Sequence, residues 1–261
     1  MKALKYTLGL LALLVTPFTI AADDNLFYVT ADNGLIIRDA PNGKRIGKLP
    51  YGYPVRLVEQ AAPISIKDEH TAEQGHWQRI DFDSIDIADD LEKGIDSNSA
   101  YIADIYLQPK ADFEAEKQQL LSQYASQLKL KLATDYKAFA LKGDFFGDGV
   151  LDDVLRAQDQ DENILLVFIN HQANALPSLS YLGGGADVFN IDSYPFAILT
   201  QVPQGQPLWS NYENDFRNFA DVPEAEIQRL TYDALYVHEA ESCGGGFIFW
   251  QNNQWNWLQQ E

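Results

Sequence analysis

The chain has little sulfur: among 261 residues, Cys243 is the single cysteine. An exported protein with one cysteine has no internal disulfide, so each folded unit must be held by packing alone. Positive charge is also scarce, with Lys and Arg totalling 19 against 38 Asp and Glu, a formal charge of −19. Like-charge repulsion argues against nucleic acid and anionic lipid surfaces as partners. It leaves cations, basic proteins and simple solubility. Histidine is rare: His70, His76, His171 and His238 show no metallohydrolase spacing. The runs Gly183-Gly184-Gly185 and Gly244-Gly245-Gly246 lack the Lys-Ser/Thr of a phosphate-binding loop. After the first 22 residues no stretch is apolar and long enough to span a bilayer.

What is present begins with an address. Lys2 and Lys5 precede the apolar run Leu8 to Val15, and Thr19-Ile20-Ala21 ends in small residues before Asp23-Asp24. Residues 1–22 therefore read as a secretory signal, too short to be a transmembrane helix. Removing Lys2 and Lys5 and no acid takes the charge from −19 to −21. With no cysteine near the cleavage point, a lipid anchor is not expected. The expected location is the periplasm or the exterior.

From residue 25 to 109 short alternating stretches are punctuated by turn residues. Leu26-Phe27-Tyr28-Val29, Leu35-Ile36-Ile37-Arg38, Arg45 to Leu49, Val55 to Val58, His76 to Phe82 and Ser99 to Ile102 read as strands. Asp32-Asn33-Gly34 and Pro41-Asn42-Gly43 supply turns, because Asn and Gly tolerate positive φ. Strands so spaced suggest a small barrel.

The order Leu35-Ile36-Ile37-Arg38-Asp39-Ala40-Pro41, Gly47 to Val55, Trp77-Gln78-Arg79-Ile80, Ala100-Tyr101-Ile102 and Tyr106-Leu107 resembles the bacterial SH3-like (SH3b) domain. Ala100-Tyr101 stands where that family has Gly-Trp. Two insertions, Ala61 to Gln74 and the acidic Asp83 to Asn98, interrupt the pattern. The resemblance implies binding rather than catalysis, with a protein partner or a cell-wall (peptidoglycan) peptide as ligand. Arg38 and Trp77 fall where ligand contacts could lie. An aromatic on an alternating strand is more often core, however, so Tyr51 and Tyr53 on their turn are the better contact candidates.

Residues 110–132 repeat Phe113, Leu120, Leu121, Tyr124, Leu128 and Leu132 at helical spacing, with Pro109 and Asp112 as start signals. This predicts one connecting helix that docks on the second unit or lies between the two. Residues 133–261 read as an α+β, mainly antiparallel domain. Ile164 to Ile169 is a buried strand, with Leu179 to Leu182 pairing beside it. Val222 to Leu230 opens on a helix-tolerant Pro223, and a hairpin turns at Gln251-Asn252-Asn253-Gln254. The expected class is thus mainly β: a small SH3-like barrel, a connecting helix and a second β domain.

Three stretches invite chemistry. In Asp144-Phe145-Phe146-Gly147-Asp148-Gly149-Val150-Leu151-Asp152 carboxylates recur every fourth residue around two glycines. The loop resembles the FG-GAP or integrin-type calcium loop, which implies Ca²⁺ held by Asp144, Asp148 and Asp152. Phe146 replaces one expected oxygen ligand. The same residues also read as an Asp/Gly turn whose carboxylates accept backbone N–H groups. Cys243, preceded by His238 and beside Gly244, raises a thiol-enzyme reading. SH3b modules accompany NlpC-type peptidases, but the Asp-Cys-Ser-Gly motif is absent and every histidine precedes the cysteine. Glu239 and Glu241 would also disfavour a thiolate. Finally, Pro207 to Asp221 carries Trp209, Tyr212 and Phe216, which suit either a recognition loop or a segment pinned to the core.

The expected function is that of a non-enzymatic, exported binding protein, with an inhibitor or immunity protein against a basic effector as one specific form. The alternatives are a thiol enzyme using Cys243 and His238, or a calcium-stabilised structural module. Calcium is the only cofactor implied.

Overall fold

The computed structural model describes residues 25–67, 72–81, 99–135, 139–172, 178–183, 191, 197–211, 217–239 and 245–260. The signal segment, His70, the acidic insertion to residue 98, Tyr212, Phe216 and Cys243 lie outside the described residues.

The first module is a curled half-barrel of β1 (Leu26–Val29), β2 (Leu35–Arg38), β3 (Arg45–Leu49), β4 (Pro54–Lys67), β5 (Ala72–Asp81), β6 (Tyr101–Ala103) and β7 (Leu107–Pro109). Its strand order is β3-β2-β6-β5-β4-β1-β7. Strand alternation sorts the side chains: Leu35 and Ile37 enter the core with Val29, Leu49, Val55, Ile80 and Ile102, while Ile36 points out. The strands fall where the sequence puts them, with one difference of consequence. Residues 61–67 and 72–74 do not stand apart as an insertion. They prolong β4 and β5 into a two-stranded arm, paired as far as Lys67 with Ala72. Ile64 and Ile66 alternate along it with exposed Pro63, Ser65 and Lys67, a period of two that favours pairing over a free loop.

Helix α1 (Lys110–Tyr124) is shorter than the stretch to Leu132 that its periodicity suggests. Ala125 leaves helical geometry, Ser126–Leu128 tightens to a 3-10 turn, and Lys129 adopts φ 52. The chain then extends as β8 (Lys131–Leu132), which pairs with β10 and lets Leu130 and Ala133 enter the core. Tertiary pairing overrides the helical spacing of Leu128 and Leu132.

The second module has two antiparallel sheets. One contains β8, β9 (Ala140–Gly143), β10 (Asp152–Gln158), β11 (Ile164–Asn170) and β12 (Ser178–Gly183). The other has the order β13 (Ala197–Val202), β16 (Ala234–Glu239), β17 (Gly245–Gln251), β18 (Gln254–Gln259). A short ribbon, β14 (Pro207–Leu208) with β15 (Gln228–Arg229), stands beside them. Residues 222–230 are not the helix suggested by Pro223. A single 3-10 turn at Glu224–Glu226 gives way to β15, whose pairing with β14 wins. The β17–β18 hairpin turns as expected, with Asn252 and Asn253 at φ 55 and 60, the mirror-image geometry that matches strand twist.

Strands β10 and β11 are covered on both faces, so their side chains are buried almost without interruption. Toward the second sheet lie Leu141, Phe145, Val154, Leu166, Phe168, Leu235, Val237, Ile248 and Trp255. The opposite face holds Phe139, Leu155, Ala157, Leu165, Val167 and Ile169 against Phe113 and Leu121 of α1 and Tyr28 and Tyr51 of the first module. The helix is therefore not a free connector, because its buried face is shared by both modules.

At this junction Tyr28 stacks on Phe113 at 4.7 Å and meets Phe139 edge-on at 5.3 Å. Gly52, at φ +73, lies so close to Ala140 that a Cβ would sit 2.0 Å from its carbonyl oxygen. Charge is buried here too. Lys117 is 3% exposed, with Nζ 2.7 Å from Glu116 and 3.6 Å from Asp153. His171 Nε2 lies 2.8 Å from the other Asp153 oxygen. Burial pushes the Asp153 carboxyl up, but the His171 hydrogen bond and Lys117 outweigh it and hold the group below the usual range. Such pairing offsets the desolvation that would otherwise make a buried lysine costly.

Tyr51 and Tyr53, each 7% exposed, are core residues rather than the surface contacts their turn suggests. Gly52 at the turn tip is pressed against β9, which turns the flanking rings inward. Burial drives the Tyr51 hydroxyl well above its ordinary pKa. Lys142 Nζ stands 4.8 Å from its ring.

Candidate functional site

One apolar-lined recess with polar groups at its rim belongs to the first module. It is a cleft of about 560 Å³ between β2 and the β4–β5 arm. Trp77 forms its floor, 5% exposed, on a strand paired with β6. Ile64 and Ile66 of the arm, with outward-facing Ile36 of β2, form apolar walls. Asp32, Asn33, Arg38 and Asn42 supply the polar rim, the asparagines coming from the two turns that flank β2.

The local geometry holds Arg38 firmly. Its Nη1 donates to the Gly43 carbonyl at 2.7 Å, and its guanidinium carbon lies 5.9 Å from the Trp77 ring centroid. Asp32 is engaged from the other module: Lys142 Nζ donates to it at 2.8 Å. Burial lowers the Lys142 pKa, but the Asp32 hydrogen bond and neighbouring charges raise it further, so the ammonium persists. The indole N–H of Trp77 is buried and has no acceptor among the described residues. A buried donor without a partner is rare enough to require a reason.

A second recess of about 700 Å³ lies on the arm around Ile64, Ser65, His76, Asp104 and Ile105. Asp104 stitches the arm to the segment after β6: it accepts the His76 backbone N–H at 2.7 Å and Gln78 Nε2 at 2.9 Å. Gly75 is required here, since a Cβ would fall 2.2 Å from Asp104 Oδ1. Those bonds fix the base of the arm and so set the position of Ile64 and Ile66.

The acidic loop is organised inward. Asp144 Oδ1 accepts the N–H groups of Gly147 at 2.7 Å and Asp148 at 3.1 Å, and Oδ2 accepts that of Gly149 at 3.0 Å. Asp148 caps the Val150 N–H at 2.9 Å. Asp152 is fully buried and accepts from Phe145 at 2.9 Å and Phe146 at 3.3 Å. Burial pushes its carboxyl up to about 7 despite those two hydrogen bonds. Among the described residues no three acidic, His or Cys side chains group as a cation cage. Asp152 faces the protein interior, while Asp144 and Asp148 are engaged with backbone N–H groups. Phe146, which stands in a ligand position of the resembled motif, packs on Trp250 and Trp255 at 5.4 and 5.5 Å. It pins the loop to the core.

The remaining candidates lie only partly within the described residues. His238 stacks on Tyr236 at 4.7 Å in β16, while Cys243 lies outside the described residues. Trp209 packs against Phe219 at 5.4 Å, and Tyr212 and Phe216 lie outside the described residues. The sequence favours Tyr51 and Tyr53 over Arg38 and Trp77 as contacts and does not bring out Ile64 and Ile66. Their period-two spacing was the available signal. No protein-family model matches the chain, and neither a curated protein nor a solved structure matches it.

Proposed function

We propose that the protein is a non-enzymatic binding protein of the cell envelope, exported by its N-terminal signal, whose first module takes an extended peptide in the Trp77 cleft. The peptide belongs to a protein partner or to the cell wall. The supporting observation is the cleft itself: apolar walls from Ile36, Ile64 and Ile66 over an indole floor, beside a rim that includes a fixed guanidinium. Concave, mostly apolar recesses with a few placed polar groups are the usual form of a ligand site. The second module reaches the cleft through Lys142, which donates to Asp32.

The test is retention on two immobilised matrices, purified peptidoglycan and a random decapeptide library. Wild type is compared with Ile36→Asp and Ile64→Asp, both at positions with some solvent exposure. Retention on either matrix that both substitutions abolish supports the reading. Absence of retention on both, or retention indifferent to the substitutions, overturns it.

A further inference from the structure

Resting on that reading, we infer that the cleft is built for the carboxylate end of a short apolar peptide, with Arg38 as the partner of the anion. The argument begins with charge. Asp32 is the one acid among the residues lining the cleft, and Lys142 of the second module already pairs with it at 2.8 Å. Arg38 has no carboxylate within 4.0 Å among the described residues. With Asp32 answered by Lys142, Arg38 is the one charge of the lining without a counter-ion among the described residues, on a chain whose total is −19. An amine terminus would meet the guanidinium and be repelled. An internal peptide segment would leave it unanswered. A terminal carboxylate answers it and matches the planar fork of donors that arginine presents.

The remaining polar groups agree in kind. Asn33 and Asn42 contribute amide donors at the rim. Arg38 is also fixed in place by its bond to the Gly43 carbonyl and its position over the indole. A guanidinium so held loses less freedom on binding than a mobile one. Ile36, Ile64 and Ile66 call for an aliphatic or aromatic side chain next to the carboxylate. The volume of about 560 Å³ suits a few residues rather than a folded element.

The experiment uses the intact ¹⁵N-labelled protein. The chain has 5 tryptophans, and the Trp77 indole resonance is assigned from its loss in Trp77→Phe. Two mixed-sequence pools of N-acetylated aliphatic tripeptides are titrated, one with free carboxyl ends and one amidated. The free-acid pool is expected to shift the Trp77 indole signal at about ten-fold lower concentration, the scale of a charge-assisted pair. Arg38→Gln should abolish that difference, and Arg38→Lys should restore part of it. Equal responses to both pools overturn the carboxylate assignment while the peptide-cleft reading stands. No response to either pool overturns both.

Discussion

Replacing Asp152 by Asn should stabilise the protein at neutral pH and do nothing at acid pH. Asp152 is wholly buried, and its carboxyl titrates near 7 in the fold against an ordinary 3.8. Below pH 3.8 the acid is protonated in both folded and unfolded chains and contributes no pH dependence. As pH rises, the unfolded chain releases the proton first. The native state binds more protons than the unfolded one, so stability falls with rising pH until the folded acid also ionises above about 7. Each pH unit is worth about 1.4 kcal/mol, which makes the full loss on the order of 4 kcal/mol, an upper bound once water penetration and relaxation are allowed for. Asparagine resembles the protonated acid and keeps an oxygen for the Phe145 and Phe146 N–H groups. Urea midpoints of wild type and Asp152→Asn, measured from pH 4 to pH 8, isolate this group because the other titrations cancel in the difference. The difference should be near zero at pH 4 and reach about 2–4 kcal/mol in favour of Asn at pH 8. A constant offset, or a mutant less stable at pH 8, would refute the reasoning.

Further outcomes follow from the junction and the loop. Phe113→Ala empties the centre of the cluster shared by both modules and should cost about 3–5 kcal/mol in urea denaturation. Gly52→Ala forces a positive-φ residue against the Ala140 carbonyl, so a loss of more than about 2 kcal/mol is expected, visible as a lowered thermal midpoint. Asp144→Ala removes the acceptor of the Gly147, Asp148 and Gly149 N–H groups and should cost about 2–3 kcal/mol by chemical denaturation. Because Asp152 faces inward, calcium and chelator should give superimposable melting curves. A calcium-dependent rise of about 4 °C or more would show that the loop rearranges to bind the ion.

Legibility differed by element. The strands of the first module and the β17–β18 hairpin could be read because alternation and Asn-Asn turn chemistry are local signals. The end of α1 could not. Leu128 and Leu132 keep helical spacing, yet extending the chain lets β8 join β10. Arg38 and Trp77 were visible as ligand candidates. Tyr51 and Tyr53 read as the better contacts in the sequence, because only the contact of Gly52 with β9 reveals that those tyrosines face inward.

By itself, then, the sequence determined composition-level properties and local ones. It established a strongly acidic chain without internal disulfides, a mainly β class, the turn positions, and an acidic loop joining two strands. Tertiary structure alone decided which long-range surfaces meet. It turned an apparent insertion into the wall of a cleft, and a connecting helix into a core shared by two modules. It also spent the carboxylates of the acidic loop on backbone N–H groups, with Asp152 inside the protein. Periodicity and turn chemistry act over a few residues and are written in the chain. Desolvation and charge pairing depend on neighbours up to 110 positions away, as between Asp32 and Lys142, and exist only once the chain has folded.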